Sequence, residues 1–222
     1  MPVAWEGIPF ILGGIGLVCL FLIIRWEWPA LVCTLATLFT ILFFRDPERR
    51  SVPLERAVLA PADGKVLSIE RLKKGDDRYE GKSIKISIFM SLFNAHINRI
   101  PIGGKIIRLS YHPGRFFPAN RDKASRFNEH NIITLKTDNN ERLVFVQIAG
   151  RIARRIACWI NKDDYVQTGQ RFGLIRFGSR LEVYLPSEST IIVNKGEKVK
   201  AGQTIMGYLD ENKKKIQIKK GK

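Results

Sequence analysis

Ile175-Arg176-Phe177-Gly178-Ser179-Arg180-Leu181-Glu182-Val183-Tyr184-Leu185 decides how the rest of this 222-residue chain is read. Two runs rich in β-branched, aromatic and leucine residues flank a Gly-Ser pair, so the stretch reads as strand, tight junction, strand. Ser179 is a small nucleophile placed directly after a residue with no side chain. The Gly178 carbonyl is therefore open to attack by the Ser179 hydroxyl, and glycine tolerates the strained backbone that such an attack requires. Taken alone, the pair reads as an ordinary turn or bulge between strands, and only its company overturns that.

The same β period spreads outward from this point. Runs at 64–70, 83–90, 105–111, 132–136, 143–149, 152–160, 171–177, 180–185, 190–193 and 204–209 have strand composition and turn signals between them. No long helical period competes with them, so the region is mainly β, a barrel or sandwich. A weak internal echo refines this. Val166-Gln167-Thr168-Gly169-Gln170 resembles Val199-Lys200-Ala201-Gly202-Gln203, and Pro61-Ala62-Asp63-Gly64-Lys65-Val66 has a similar look. Such turns are similar to those of biotinyl and lipoyl carrier domains, which gives the expectation of a barrel-sandwich-hybrid-like β domain. No Met-Lys-Met or Asp-Lys-Ala attachment tripeptide is present.

The N-terminus is of another kind. IPFILGGIGLVCLFLII at 8–24 and ALVCTLATLFTILFF at 30–44 are apolar runs separated by Arg25-Trp26-Glu27-Trp28-Pro29. They predict an α-helical membrane hairpin, spanning or re-entrant because each run is slightly short of the ~20 residues of a perpendicular span. Trp5, Trp26 and Trp28 stand where interfacial aromatics are expected, and no basic segment precedes the first run as in a secretory signal. Arg45, Arg49, Arg50 and Arg56 follow the second run, whereas only Arg25 lies between the runs. That bias predicts an inner-membrane protein with the rest of the chain facing the cytoplasm. The expected division is residues 1–50 for hairpin and linker and 51–222 for the β domain.

Lys and Arg number 37 against 21 Asp and Glu, a formal charge of +16, which favours an anionic partner. The lysine-rich tail after Asn212 has no interleaved aromatics, so acidic lipid fits better than nucleic acid. Cys19, Cys33 and Cys158 form no CxxC pair and no metal pattern, and no metal site is expected.

Among titratable groups, His96 ends an apolar strand and opens on polar residues, whereas His112 and His130 read as turn and loop histidines. Asp63 precedes a glycine, the ordinary setting of a turn former. Asp63, His96 and Ser179 are also the three types by which a carboxylate orients an imidazole that deprotonates a hydroxyl. Linear order does not show that they meet.

FFRDPER at 43–49, PADGKV at 61–66, FMSLFNAHINRIPIGG at 89–104, YHPGRF at 111–116, KAS and NE within 123–129, and RFGSRLEVYLP at 176–186 occur in this order. Together they resemble the phosphatidylserine decarboxylases, in particular the compact, archaetidylserine decarboxylase-like branch. The likeness implies a proenzyme that cuts itself between Gly178 and Ser179, after which Ser179 becomes a covalent pyruvoyl cofactor heading the small chain. It also implies that Asp63 and His96 serve self-cleavage, that the substrate is a serine phospholipid, and that the two chains stay associated, with a homo-oligomer possible. Two features depart from the longer branch: Phe177 and Arg180 flank the Gly-Ser pair, and Arg99 stands where that branch has a second histidine. The group that protonates the product carbanion is therefore left open. Arg115, Arg121 and Lys123 are the candidates for holding the lipid phosphate. Two other classes compete, a membrane-anchored carrier or adaptor module with a silent Ser179, and a membrane serine hydrolase with an uncut chain.

Overall fold

The computed structural model describes residues 2–50, 54–74, 76–119, 127–150, 156–176 and 178–209. Two antiparallel helices lead the chain, α1 (Ile8–Ile23) and α2 (Glu27–Phe43), joined through Arg25 in the left-handed region at φ 57°. Close approach is possible because Gly14 has no Cβ where the Thr37 hydroxyl packs, and Gly7 has none where the Phe44 ring lies. Most large side chains on both helices are exposed, including Phe10, Leu17, Leu22, Leu35 and Leu42, while Phe43 is buried at the root. A helix apolar all round and unburied by protein is built for a lipid surround. The stretch Trp5–Ile23 is long and apolar enough to cross a membrane, and Glu27–Phe43 is a shorter apolar helix. Both ends of the pair are tied together at one level, by Ala4 N–H to the Phe44 carbonyl and Asp46 N–H to the Pro2 carbonyl, each 2.8 Å.

The strands are, in order, β1 (Ala57–Leu59), β2 (Gly64–Leu72), β3 (Ser83–Met90), β4 (Ile97–Arg99), β5 (Gly104–His112), β6 (His130–Lys136) and β7 (Arg142–Ile148). There follow β8 (Ile156–Cys158), β9 (Tyr165–Val166), β10 (Arg171–Ile175), β11 (Ser179–Pro186), β12 (Thr190–Ile191), β13 (Lys198–Val199) and β14 (Ile205–Tyr208). They make one eight-stranded sheet, β13-β2-β3-β11-β7-β6-β5-β9, and two three-stranded sheets, β4-β10-β8 and β1-β14-β12. The expectation of a mainly β protein behind a helical pair holds.

The core lies on one face of the large sheet. Ile84, Ile86, Ile88 and Met90 of β3 and Leu181, Val183 and Leu185 of β11 all point into it, as the period of two requires. Each such side chain contributes about 1.5–3 kcal/mol by leaving water. The other face of β11 departs from simple alternation. Arg180 and Glu182 are 2% and 0% exposed, bonded to one another at 2.9 Å, with Glu182 also paired to Arg78 at 2.8 Å and Arg180 to the Ser87 hydroxyl at 2.8 Å. The segment carrying Arg78 and Tyr79 covers this face, so the polar residues of β11 are buried in pairs rather than solvated.

The helical pair is rooted in the small sheet. Phe43 and Phe44 pack with Ile97 of β4 and Leu174 of β10, and the Arg176 guanidinium lies 5.5 Å from the Phe10 ring centroid.

Candidate active site

Ser179 is the first residue of β11, in the middle of the large sheet and paired with Met90 of β3. Its side chain is fully buried and its Oγ has no hydrogen-bond partner. A buried hydroxyl without a partner costs free energy, and such orphans call for a functional explanation. Gly178 before it has φ 63°, a conformation that favours glycine. Its carbonyl oxygen points at Gly150, where any Cβ would overlap it. Gly150 follows Ala149 just beyond β7, and nothing in its sequence neighbourhood marked it.

His96 is brought to the same end of the sheet by a short excursion. The chain leaves β3 at Met90, the cross-strand partner of Ser179, and returns at Asn98, whose Nδ2 reaches the Met90 Sδ at 3.7 Å. Within that loop the His96 ring is fully buried and lies 4.1 Å, centroid to centroid, from the Phe43 ring at the end of α2. Nδ1 is 2.9 Å from the Asn94 carbonyl oxygen. Since a carbonyl only accepts, Nδ1 carries the proton and Nε2 holds the lone pair. Nε2 is likewise buried and unpartnered. The site thus holds one orphaned donor, Ser179 Oγ, and one orphaned acceptor, His96 Nε2. Burial pushes the His96 pKa down to about 4, opposed by its hydrogen bond to Asn94, while the charge of Asp63 acts to raise it.

Asp63 sits in the turn before β2, and the missing Cβ of Gly64 next to it admits the Phe89 carbonyl of β3, so the carboxylate also lies at this end of the sheet. It does not hydrogen-bond His96. Arg49 Nη1 and Nη2 grip its two oxygens at 2.5 and 2.7 Å, and the Ala201 N–H donates to it at 2.8 Å. The His96 ring is oriented instead by the Asn94 carbonyl. Asp63 acts on His96 only through space, and Arg49, in the linker after α2, takes the contacts that a carboxylate orienting an imidazole would make.

A model of the family described as "Phosphatidylserine decarboxylase" matches residues 36–207. The chain is similar to proteins named phosphatidylserine decarboxylase proenzyme from Syntrophus aciditrophicus, 48% identical with 92% of this chain and 96% of the relative covered, and from Desulfotalea psychrophila, 46% with 94% and 97%. A third, from Pelobacter propionicus, is 44% identical with 94% and 97% covered. The chain belongs to the phosphatidylserine decarboxylase family. The family is one of lyases, and a proenzyme name denotes a chain that is processed.

For this family member the other candidate residues fall differently from the expectation. His112 and His130 are not in a turn and a loop; they end β5 and open β6, stacked with centroids 4.8 Å apart. Arg115 is bridged through its backbone to Asn128; Arg121 and Lys123 lie outside the described residues. What sequence reading missed is a cationic groove. Arg49, Arg99, Arg171 and the 167–170 turn line an open space of about 490 Å³, continued by Glu48 and Arg50. Asp46 partly neutralises it, paired with Arg171 at 2.7 Å and lying 3.7 Å from Arg99. Arg99, three residues after His96 and in sequence a departure from the longer branch, is part of this groove. No group of three or more His, Cys, Asp or Glu that could hold a metal occurs among the described residues.

The electrostatics of His96 give a sign for pH dependence. A base is lost on protonation, and a pKa of about 4 keeps Nε2 free well into acid. If the chain cuts itself with Nε2 as the base, cleavage of freshly translated protein should run at a nearly constant rate from pH 8 to pH 5.5 and fall only near pH 4, as followed by denaturing electrophoresis. A half-loss centred near pH 6.5 would mean that His96 titrates as an exposed imidazole or is not the base.

Proposed function

We propose that this chain is a membrane-tethered decarboxylase of a serine glycerophospholipid, releasing CO2 and the ethanolamine lipid, and that it matures by cutting itself between Gly178 and Ser179. One observation carries the reading: a buried serine hydroxyl and a buried imidazole nitrogen, both without partners, stand at the same sheet end beside a carbonyl that two glycines leave open.

The first step moves the Ser179 Oγ proton to His96 Nε2 while Oγ bonds to the Gly178 carbonyl carbon. The peptide C–N bond then breaks and the nitrogen regains a proton, leaving an ester. Loss of the Ser179 Cα proton expels Gly178 as a carboxylate, and water replaces the nitrogen of the resulting enamine as ammonia. Positive charge formed on His96 is stabilised by the charge of Asp63, which acts through space. The residues fit the pyruvoyl group that this sequence forms, because position 179 is buried and needs no partner for the hydroxyl that is lost. A pyruvoyl carbonyl supplies an electron sink for the loss of CO2 from an α-amino acid.

The rest of the chain binds and holds. β11 lies between β3 and β7, and the chemistry is confined to its first residue, so the ladder from Arg180 to Pro186 survives the cut and holds the two chains together. Residues 1–50 act as anchor and 51–222 as catalytic unit. The arginines after α2 favour a cytoplasmic face of the cell membrane. The arginine groove, not the Arg115 region, is the better seat for the lipid phosphate, since bidentate guanidinium groups suit phosphate oxygens. Arg171→Gln should raise the KM for the serine lipid about tenfold with kcat within twofold; an unchanged KM removes the groove from substrate binding.

The reading is tested with the purified full chain in vesicles. CO2 and an ethanolamine lipid should appear from the serine lipid, and prior treatment with a carbonyl reagent such as phenylhydrazine should abolish the activity. Activity that survives the reagent, or no activity in a chain shown to be cut, defeats the proposal. A carrier or adaptor module would leave the chain whole, and nothing in the site favours it.

A further inference from the structure

We infer that the turn Ser91-Leu92-Phe93-Asn94, which leads into His96, is a second membrane contact that seats the catalytic end of the sheet in the bilayer interface. The inference rests on the proposed reading of α1 and α2 as a membrane hairpin. Phe93 is 79% exposed, an unusual state for a phenylalanine on a rigid turn. The turn is held from within, because Asn94 Oδ1 accepts from the Ser91 N–H at 2.9 Å and from its hydroxyl at 2.8 Å. It is also held to the end of the hairpin. Arg45 donates to the Leu42 carbonyl of α2 at 2.6 Å and to the Phe93 carbonyl at 2.5 Å, and Leu92 packs against the Phe43 and Phe44 cluster.

The occupant follows from continuity. Leu42, the next-to-last residue of α2, is itself 59% exposed and belongs to the apolar surface that the helices present to lipid. Phe93 is pinned beside it through a single guanidinium. On the same root of the hairpin, Trp5 is 83% exposed, and Trp159 is 41% exposed with its indole N–H on Glu6 at 2.7 Å. Aromatic rings with a polar handle, beside an arginine, make the collar expected at the boundary of head groups and acyl chains. A lipid bilayer satisfies all of these groups together. The consequence is positional: only Asn94 and Ala95 separate the buried ring from the lipid-facing one.

The test places the photoreactive residue in the full chain in cell membranes by Phe93→p-benzoylphenylalanine, with Trp5→p-benzoylphenylalanine as reference. Irradiation should add the mass of a phospholipid at both positions. Lipid at position 5 with none at 93, or a crosslink from 93 to a second protein chain, overturns the inference while leaving the hairpin intact; no lipid at either position overturns the hairpin reading and this one with it. In parallel, Phe93→Ser should mature normally and lose about tenfold in kcat/KM on long-chain serine lipid in vesicles, restored by Phe93→Trp. An equal loss on a monomeric short-chain serine lipid would show that Phe93 acts inside the protein and not on the bilayer.

Discussion

Ser179→Ala should accumulate as one uncut chain with no detectable small fragment of residues 179–222. The hydroxyl is the only atom removed, and no other group can form the ester from which the break follows. The usual objection to an active-site deletion, that the variant simply misfolds, is weak here. Ser179 Oγ makes no hydrogen bond and is buried, so removing it takes away an unsatisfied polar group rather than a contact. The eight paired positions of β11 along β3, from Ser179 opposite Met90 to Pro186 opposite Ser83, depend on the backbone and remain. The alanine variant should therefore melt at or slightly above the temperature of a cleavage-blocked His96→Ala protein. Intact mass measurement decides the matter. A fragment beginning at residue 179 in the alanine variant would place the nucleophile elsewhere.

Gly150→Ala should slow self-cleavage at least about a hundredfold in a chain that still folds. Ideal placement of one methyl group at position 150 runs into the Gly178 carbonyl oxygen, so that carbonyl, the electrophile of the proposed self-cleavage, must move by an ångström or more. A misplacement of that size costs roughly two orders of magnitude in rate. Overpacking one methyl costs only about 1–3 kcal/mol of stability. The position lies in a connection beyond β7, where small backbone shifts are absorbed more easily than within a ladder. A readout confined to chemistry separates positioning from general damage. Hydroxylamine cleaves an ester but not an amide, so it should release the small chain rapidly from a variant arrested after ester formation, and should do nothing for Gly150→Ala if the ester never forms. Wild-type maturation in Gly150→Ala, or release by hydroxylamine, would end the role assigned to Gly150.

Local composition was enough for the element types. The alternation in Ser83-Ile84-Lys85-Ile86-Ser87-Ile88 and the apolar runs at 8–24 and 30–44 carry their periods on their face, because a period of two or an unbroken apolar run is a property of neighbours in sequence. The motif that makes Ser179 a candidate is equally local, a nucleophile joined to a bare carbonyl. The buried character of Arg180 and Glu182 was not legible. Their burial depends on a distant segment, that of Arg78 and Tyr79, folding over β11.

The sequence by itself determined a mainly β domain behind an apolar helical pair, and singled out Ser179, His96 and Asp63 as residues able to do chemistry. Only the tertiary structure decided how they are used. His96 takes its tautomer from the Asn94 carbonyl and its low pKa from burial, with the Phe43 ring at the end of α2 packed against it. Asp63 is claimed by Arg49, 14 residues earlier, and by the backbone of Ala201, 138 residues later. Gly150 matters only because Gly178 arrives above it. These are contacts between chain segments far apart, selected by strand order and register, and the free energy of a hydrogen bond or a steric overlap depends on distances of tenths of an ångström that no local pattern encodes.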